Sequence, residues 1–186
     1  MALHDLPRKL TYEDYLLFPD DGLRHEILDG EHYVSPAPSI RHQMVSGNLY
    51  FLLRSYLGEH PLGLILYAPV DVVLSLHDVA QPDLVFISQE RLRVFTEKNI
   101  QGAPDLAIEI LSKSTRQQDE GIKLERYGRL GVREYWIFDP DRNTARVFRR
   151  EGGRLQLAAE LSAKAGDILT SRLFPGLEIA LAEVFA

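Results

Sequence analysis

The chain contains no cysteine, and that absence removes disulfides, thiolate zinc centres and cysteine nucleophiles together. It has no basic excess either: 21 Lys and Arg stand against 27 Asp and Glu, a net charge of -6. Proteins that hold nucleic acid without regard to sequence draw most of their affinity from neutralising phosphates. A broad electrostatic footprint is therefore not expected, and only a local basic patch is left open. Arg146, Arg149, Arg150 and Arg154 cluster near one expected hairpin and are the candidates for it, with an ordinary solvated surface as the favoured alternative. No apolar run approaches the roughly 20 residues that cross a bilayer. The opening MALHDLPRKLTYEDY lacks the apolar core of a signal peptide. No membrane partner is expected, and the expected location is cytoplasmic. Low-complexity tracts, linkers and internal repeats are missing as well.

What remains is ordinary globular material. With 186 residues, 45% of them hydrophobic and 26% charged, the chain is expected to form one domain over residues 1–186 with a core that needs no staples. In TYEDYLLFP, Thr11 followed at three by Asp14 resembles the N-cap of a short helix that Pro19 ends. RHEILDGEHYVS predicts a hairpin, because Asp29-Gly30 favours positive φ at both central turn positions. Ser39 then caps a helix to about Tyr56, with Met44, Val45, Leu49, Leu52, Leu53 and Tyr56 as its buried stripe. LILYAPVDVVLSL reads as one central strand bent near Pro69, HDVAQ as a turn, and PDLVFIS as the next strand, opened by Asp83. A helical turn within SQERLRVFTEKNIQG leads to a strand in PDLAIEILS. DEGIKLERYGRLG is a helix closed by Gly131. VREYWIFDP is a strand, ARVFRR its antiparallel partner, and LFPGLEIALAEVFA a short strand with a last helical turn. The fold class is therefore α/β, a mixed central sheet flanked by helices with an additional N-terminal β-hairpin.

The chemistry concentrates between Pro104 and Pro140. Glu109 sits between Ile108 and Ile110 in an otherwise apolar run, where an ionisable group is costly to bury unless paired or liganded. Asp83 opens a strand close in sequence, so the two acids are expected as neighbours. Carboxylates converging at a sheet end form a hard oxygen site suited to Mg²⁺ or Mn²⁺. For Asp83 a plain strand-opening turn is an equal alternative. Asp105 shares a strand face with Glu109, but four residues at roughly 3.3 Å each put their Cα atoms about 13 Å apart, too far to share a metal. Asp119, Lys123 and Tyr127 follow at spacings of four along one helix face. A lysine near a scissile phosphate orients water or stabilises developing charge. From spacing alone, pairing with Asp119 on an exposed face is the favoured reading of Lys123, and a core-edge place that of Tyr127.

Pro-Asp, a later acid within a strand and a lysine together resemble the PD-(D/E)XK nuclease pattern. More narrowly, RHEILDGEHYVSPAPSIRH, QPDLVFIS, GAPDLAIEILSKST, DEGIKLERYGRLGVREYWIFDP and LFPGLEIAL resemble the Uma2 family, in linked order from about Tyr12 to Phe185. The resemblance implies a restriction-endonuclease-like fold and Mg²⁺- or Mn²⁺-dependent cleavage of nucleic acid, DNA above all. It implies Asp83 and Glu109 as metal ligands, with a backbone carbonyl near Ile110 completing the site, and Asp83, Glu109, Lys123 and Glu26 as the catalytic group. The superfamily places a lysine two residues after the strand acid, where this chain has Leu111. In Uma2-like sequences it stands on the following helix, at Lys123, whose long stem can reach back. Glu26 falls on the Arg-His-Glu segment, where joining the metal site and merely pairing with Arg24 or a helix end are equal alternatives. His42 matches the histidine after the Ser-Pro loop, and a structural role is favoured for it. The alternative function is a non-catalytic binding or regulatory module that keeps the fold. A homodimer joined by strand edges is a further possibility, with Tyr135 and Trp136 either in the core or at that interface.

Overall fold

A computed structural model of the protein describes residues 8–186. Helix α1 (Tyr12–Tyr15) opens on the predicted reciprocal capping box of Thr11 and Asp14. Strands β1 (Arg24–Leu28) and β2 (Glu31–Ser35) form the predicted hairpin, turning through Asp29 at φ 51° and Gly30 at φ 80°. Helix α2 (Ile40–Glu59) starts at Ser39 and runs beyond Tyr56. Its buried stripe is His42, Val45, Leu49, Leu53 and Leu57. Met44, expected inside, is 48% exposed. Adjacent helical residues diverge by about 100°, and Val45 already takes the core direction.

Two stretches beyond α2 depart from the sequence reading. LILYAPVDVVLSL is two strands, β3 (Gly63–Tyr67) and β4 (Val72–Ser75), in different sheets. Pro69 lacks the N–H that a central ladder requires, so the chain leaves one sheet there and enters the other. HDVAQ contains strand β5 (Asp78–Ala80), which lies between β1 and β4. Then come β6 (Leu84–Ser88), a 3-10 turn over Gln89–Val94, β7 (Ile100–Gln101) and β8 (Leu106–Ile110). The helix predicted over DEGIKLERYGRLG is broken into α3 (Arg116–Glu120) and α4 (Ile122–Leu130) at Gly121, whose ψ of -98° leaves the helical region. Gly131 closes α4 at φ 109°, as expected. The remaining elements are β9 (Glu134–Asp139), β10 (Thr144–Glu151), β11 (Arg154–Ser162), β12 (Ile168–Leu169), β13 (Ile179–Ala180) and α5 (Leu181–Val184).

The larger sheet has six strands in the order β11-β10-β9-β8-β6-β3, and a second has five in the order β2-β1-β5-β4-β7. Within the larger sheet β8 and β9 run parallel and the other pairs antiparallel. Helices α3 and α4 make the crossover that a parallel pair requires. Both parallel strands are buried along their length, as apolar strands covered on two faces are. Leu106, Ile108 and Ile110 join the core under α2, with Phe174, Leu181 and Val184 from the C-terminal segment. Ala107 and Leu111 join another core with Tyr127 of α4 and with Leu28 and Ala80 of the smaller sheet. Strand alternation sends Glu109 to this second face, where α4 and both sheets meet.

Tyr135 and Trp136 lie on β9 and are fully buried, which removes them as an exposed dimer interface. Two of the four clustered arginines meet carboxylates and a third a backbone carbonyl. Arg146 pairs with Glu120, Arg149 lies 3.5 Å from Glu134, and Arg150 donates to the Gly128 carbonyl at 2.7 Å.

Candidate active site

Register places the two acids. Leu84 pairs with Ile108, so one step past the ladder brings Asp83 level with Glu109 at the end of β6 and β8. Asp83 is buried with both oxygens engaged: Oδ1 accepts from Arg24 at 2.7 Å, while Oδ2 accepts from the Ile110 amide at 2.9 Å and lies 3.1 Å from His42 Nε2. Burial works to raise its pKa. The hydrogen bond and charge of His42, with the Arg24 guanidinium, outweigh burial and hold Asp83 below the usual aspartate value. The Ile110 group that meets Asp83 is its N–H, a donor.

Glu109 accepts from Lys123 Nζ at 2.9 Å and from the Tyr127 hydroxyl at 3.1 Å, both at Oε1. Burial pushes its pKa well above the ordinary glutamate value. Lys123 opposes that shift, but Asp119, Asp83 and Glu26 add to it by like-charge repulsion.

Lys123 stands at the centre. It is 3% exposed, and its ammonium lies 2.9 Å from Glu109, 3.0 Å from Glu26 and 3.2 Å from Asp119. Pairing with Asp119 is present, but on a buried face instead of the exposed one expected from spacing. Burial alone would discharge the amine, yet these carboxylates outweigh it and lift its pKa well above the ordinary lysine value. The ammonium has three N–H donors; it donates a hydrogen bond to Glu109 and meets Glu26 and Asp119 as ionic contacts. Asp119 Oδ1 has that ionic contact but no hydrogen bond of its own.

The other expectations resolve residue by residue. Glu26 pairs neither with Arg24 nor with a helix end; its Oε1 accepts from the Gln81 amide at 2.7 Å and faces Lys123. Leu111, at the superfamily lysine position, is buried in the same core as Tyr127, and the lysine charge arrives from α4. Asp105 is held by Arg91 at 2.8 Å and Arg133 at 3.1 Å, at the opposite end of β8. His42 is buried against Asp83, and its Nδ1 has no partner among the described residues. Sequence reasoning passed over Arg24 and Asp119 as site members, and it gave Tyr127 only a core-edge place. Two signals were present: strand alternation puts Arg24 on the face of Glu26, and helical spacing puts Asp119 and Tyr127 on either side of Lys123.

A cleft of about 360 Å³ opens onto this group, bordered by the Pro36–Pro38 and Ser112–Thr115 loops. Five carboxylates, Glu26, Asp83, Glu109, Asp119 and Asp141, line it with four permanent cations, Arg24, Arg41, Lys113 and Lys123. The hard oxygen donors, the like-charge repulsion that helps raise Glu109 and the unbonded Asp119 oxygen all suit a divalent cation. Among the described residues no three His, Asp or Glu side chains are already gathered around one metal position; Lys123 stands where the acids converge. No helix among those residues is long and apolar enough to cross a membrane.

Comparison with known proteins bears on this geometry. A family model described as "Uma2: Putative restriction endonuclease" matches residues 12–182. No curated protein matches the chain. Among solved structures, "a putative nuclease belonging to DUF820" from Anabaena variabilis ATCC 29413 is similar with a TM-score of 0.78 and 18% identity, over 95% of this chain and 97% of that one. The mixed sheet, flanking helices and N-terminal hairpin are those of the restriction-endonuclease-like fold.

Proposed function

The chain belongs to the Uma2 family, and from that premise we propose that it is a Mg²⁺- or Mn²⁺-dependent nuclease that hydrolyses phosphodiester bonds in nucleic acid, with DNA as the favoured substrate. The observation that carries this reading is the buried Lys123 ammonium, set among Glu26, Glu109 and Asp119 in one cleft with Asp83. Asp83 and Glu109 would hold the cation. When bound, it supplies Lewis-acid activation of water and neutralises charge at the phosphoryl group. Lys123 remains protonated and so does not act as a base; it orients the attacking water and stabilises charge growing on the phosphate. Glu26 and Asp119 position that ammonium. Tyr127 fixes Glu109 through its hydroxyl.

The test is cleavage of single- and double-stranded DNA with Mg²⁺, Mn²⁺ or EDTA. Wild type is compared with Glu109→Gln and Glu109→Ala, and melting curves check that each variant folds. Metal-dependent cleavage lost in folded variants supports the assignment, and cleavage that survives Glu109→Ala sinks it.

One observation favours a second reading, a non-catalytic binding or regulatory module, as a monomer or a homodimer. Carboxylates of the chain itself already surround the Lys123 ammonium, Glu109 by a hydrogen bond and Glu26 and Asp119 by ionic contact. If no metal displaces those contacts, the lysine is a structural clamp. A Mn²⁺ titration separates the readings: saturable binding lost on Asp83→Ala supports the nuclease, and no saturable binding supports the module. Light scattering reports the oligomeric state.

A further inference from the structure

Next to the acidic cleft, and sharing Arg24, His42 and Asp83 with it, lies another cavity of about 360 Å³. Its chemistry differs. The wall beyond the shared residues is built from Tyr50 and Tyr67 with Ser46 and Gly47 of α2, and none of these is charged. The two rings pack edge to face with centroids 4.9 Å apart at 76°, a favourable aromatic geometry. Tyr50 therefore holds the ring of Tyr67, which is still 60% exposed. A fixed and exposed aromatic ring is a stacking platform. Gly47 leaves the helix side open, since a Cβ built there meets nothing within 4 Å. Gln43 and Ser46 bring an amide and a hydroxyl to the cavity, groups suited to the polar edge of a planar ring.

We propose that this cavity takes one unpaired nucleobase, stacked on Tyr67, while Arg24 at the junction meets the adjoining phosphate and the strand continues into the acidic cleft. The inference rests on the reading of that cleft as a nucleic-acid site, and it names the substrate class as single-stranded or locally unpaired. Charge supports this choice. A molecule of net charge -6 has little capacity for tracking a duplex backbone by phosphate neutralisation. Stacking supplies affinity without charge, because every base has a π face. A duplex keeps its bases inside the stack, so the cavity is reached only by a strand end, a single strand or a flipped nucleotide.

The experiment is fluorescence anisotropy in Ca²⁺ with a labelled single strand, the matching duplex and the same strand carrying one abasic position in each of several registers. Strand integrity is checked on a gel. Wild type should bind the single strand more tightly than the duplex, and abasic strands should bind more weakly. Tyr67→Ala should weaken single-strand binding roughly five- to 150-fold, the loss of one base–aromatic stack. Gly47→Leu fills the cavity from a helical position with space around it. It should lose binding while keeping or raising the melting temperature, because glycine is a poor helix former. Wild-type affinity in both folded variants, equal binding of duplex and single strand, or no binding of either by wild type would overturn the proposal. A strand bound through Tyr67 but never cut in Mg²⁺ or Mn²⁺ would leave this inference standing and remove the nuclease reading. Metal-dependent cleavage that Gly47→Leu leaves untouched would do the reverse.

Discussion

Because Lys123 keeps its charge among Glu26, Glu109 and Asp119, its replacement by methionine retains length and leaves buried carboxylates without their cation. Removing one partner of a buried ion pair costs about 3–5 kcal/mol, and Lys123→Met should lose that much in urea unfolding near neutral pH. The loss carries a pH signature. Glu109 already has a raised folded pKa, and the variant raises it further. A group of this kind supports the fold most below its unfolded value and ceases to do so as pH rises through its folded value. The deficit of Lys123→Met should therefore shrink from about pH 8 to about pH 5 as the acids take up protons. A constant deficit would mean that they are not coupled to the lysine. The same electrostatics predicts a metal effect. With the ammonium gone, Mn²⁺ should raise the melting temperature of Lys123→Met more than that of wild type, by linkage to the folded state. EDTA should abolish the difference.

At the scale of elements, α4 delivers Lys123, and its height above the sheet is set at Gly128. A Cβ there would stand 2.7 Å from the Leu155 amide nitrogen and 3.3 Å from Arg154 backbone atoms. Backbone cannot turn aside as a flexible side chain can, so Gly128→Ala must lift the helix from β11. Overpacking costs about 1–3 kcal/mol; chemical denaturation should register that loss, and saturable Mn²⁺ binding should weaken because Lys123 shifts with α4. This dependence on packing also marks where the sequence stopped being legible. The hairpin, α2, β6, β8 and β9 announce themselves through local signals, namely Asp29-Gly30, the Ser39 cap and continuous apolar runs. Asp83 and Glu109 could be expected as neighbours because their strands are close in sequence. By contrast, β5 is a three-residue strand, too short to show a period. The separation of β3 from β4 turns on which sheet each joins, a choice made by distant partners. Lys123 and Asp119 have the same spacing whether that helical face is wet or buried, so only the arrival of Glu26 from the smaller sheet decides their role.

For the whole molecule, the site exists only while the two sheets stay registered, since β1 supplies Arg24 and Glu26 and the larger sheet supplies Asp83 and Glu109. Asp78 of β5 joins them. It is fully buried and accepts from Arg126 Nε at 2.8 Å and Nη2 at 2.7 Å, and from the Asp29 amide at 2.9 Å. One carboxylate thus ties α4 to the turn of the hairpin that carries Glu26. Burial works to raise the pKa of Asp78, but the bonds from Arg126, Ser75 and Asp29 outweigh it and leave the value lowered. A lowered folded pKa gives stability that is present above the unfolded value and lost as pH falls through the folded one. Asp78→Asn leaves Arg126 with only the half-exposed Asp29, 3.3 Å away, as counter-charge, and because Arg126 keeps that partner and some exposure the cost should lie near the lower end of a broken buried pair, about 3 kcal/mol. The gap between wild type and Asp78→Asn in urea unfolding should stay level from neutral pH to about pH 5 and close below about pH 4, where wild type loses the same interaction. If the smaller sheet is also held by this clamp at the site, Mn²⁺ affinity at neutral pH should fall in Asp78→Asn while its circular dichroism remains that of wild type. Unchanged affinity would mean that Glu26 is positioned by β1 and the Gln81 amide alone, with Asp78 serving stability and not the geometry of the cleft.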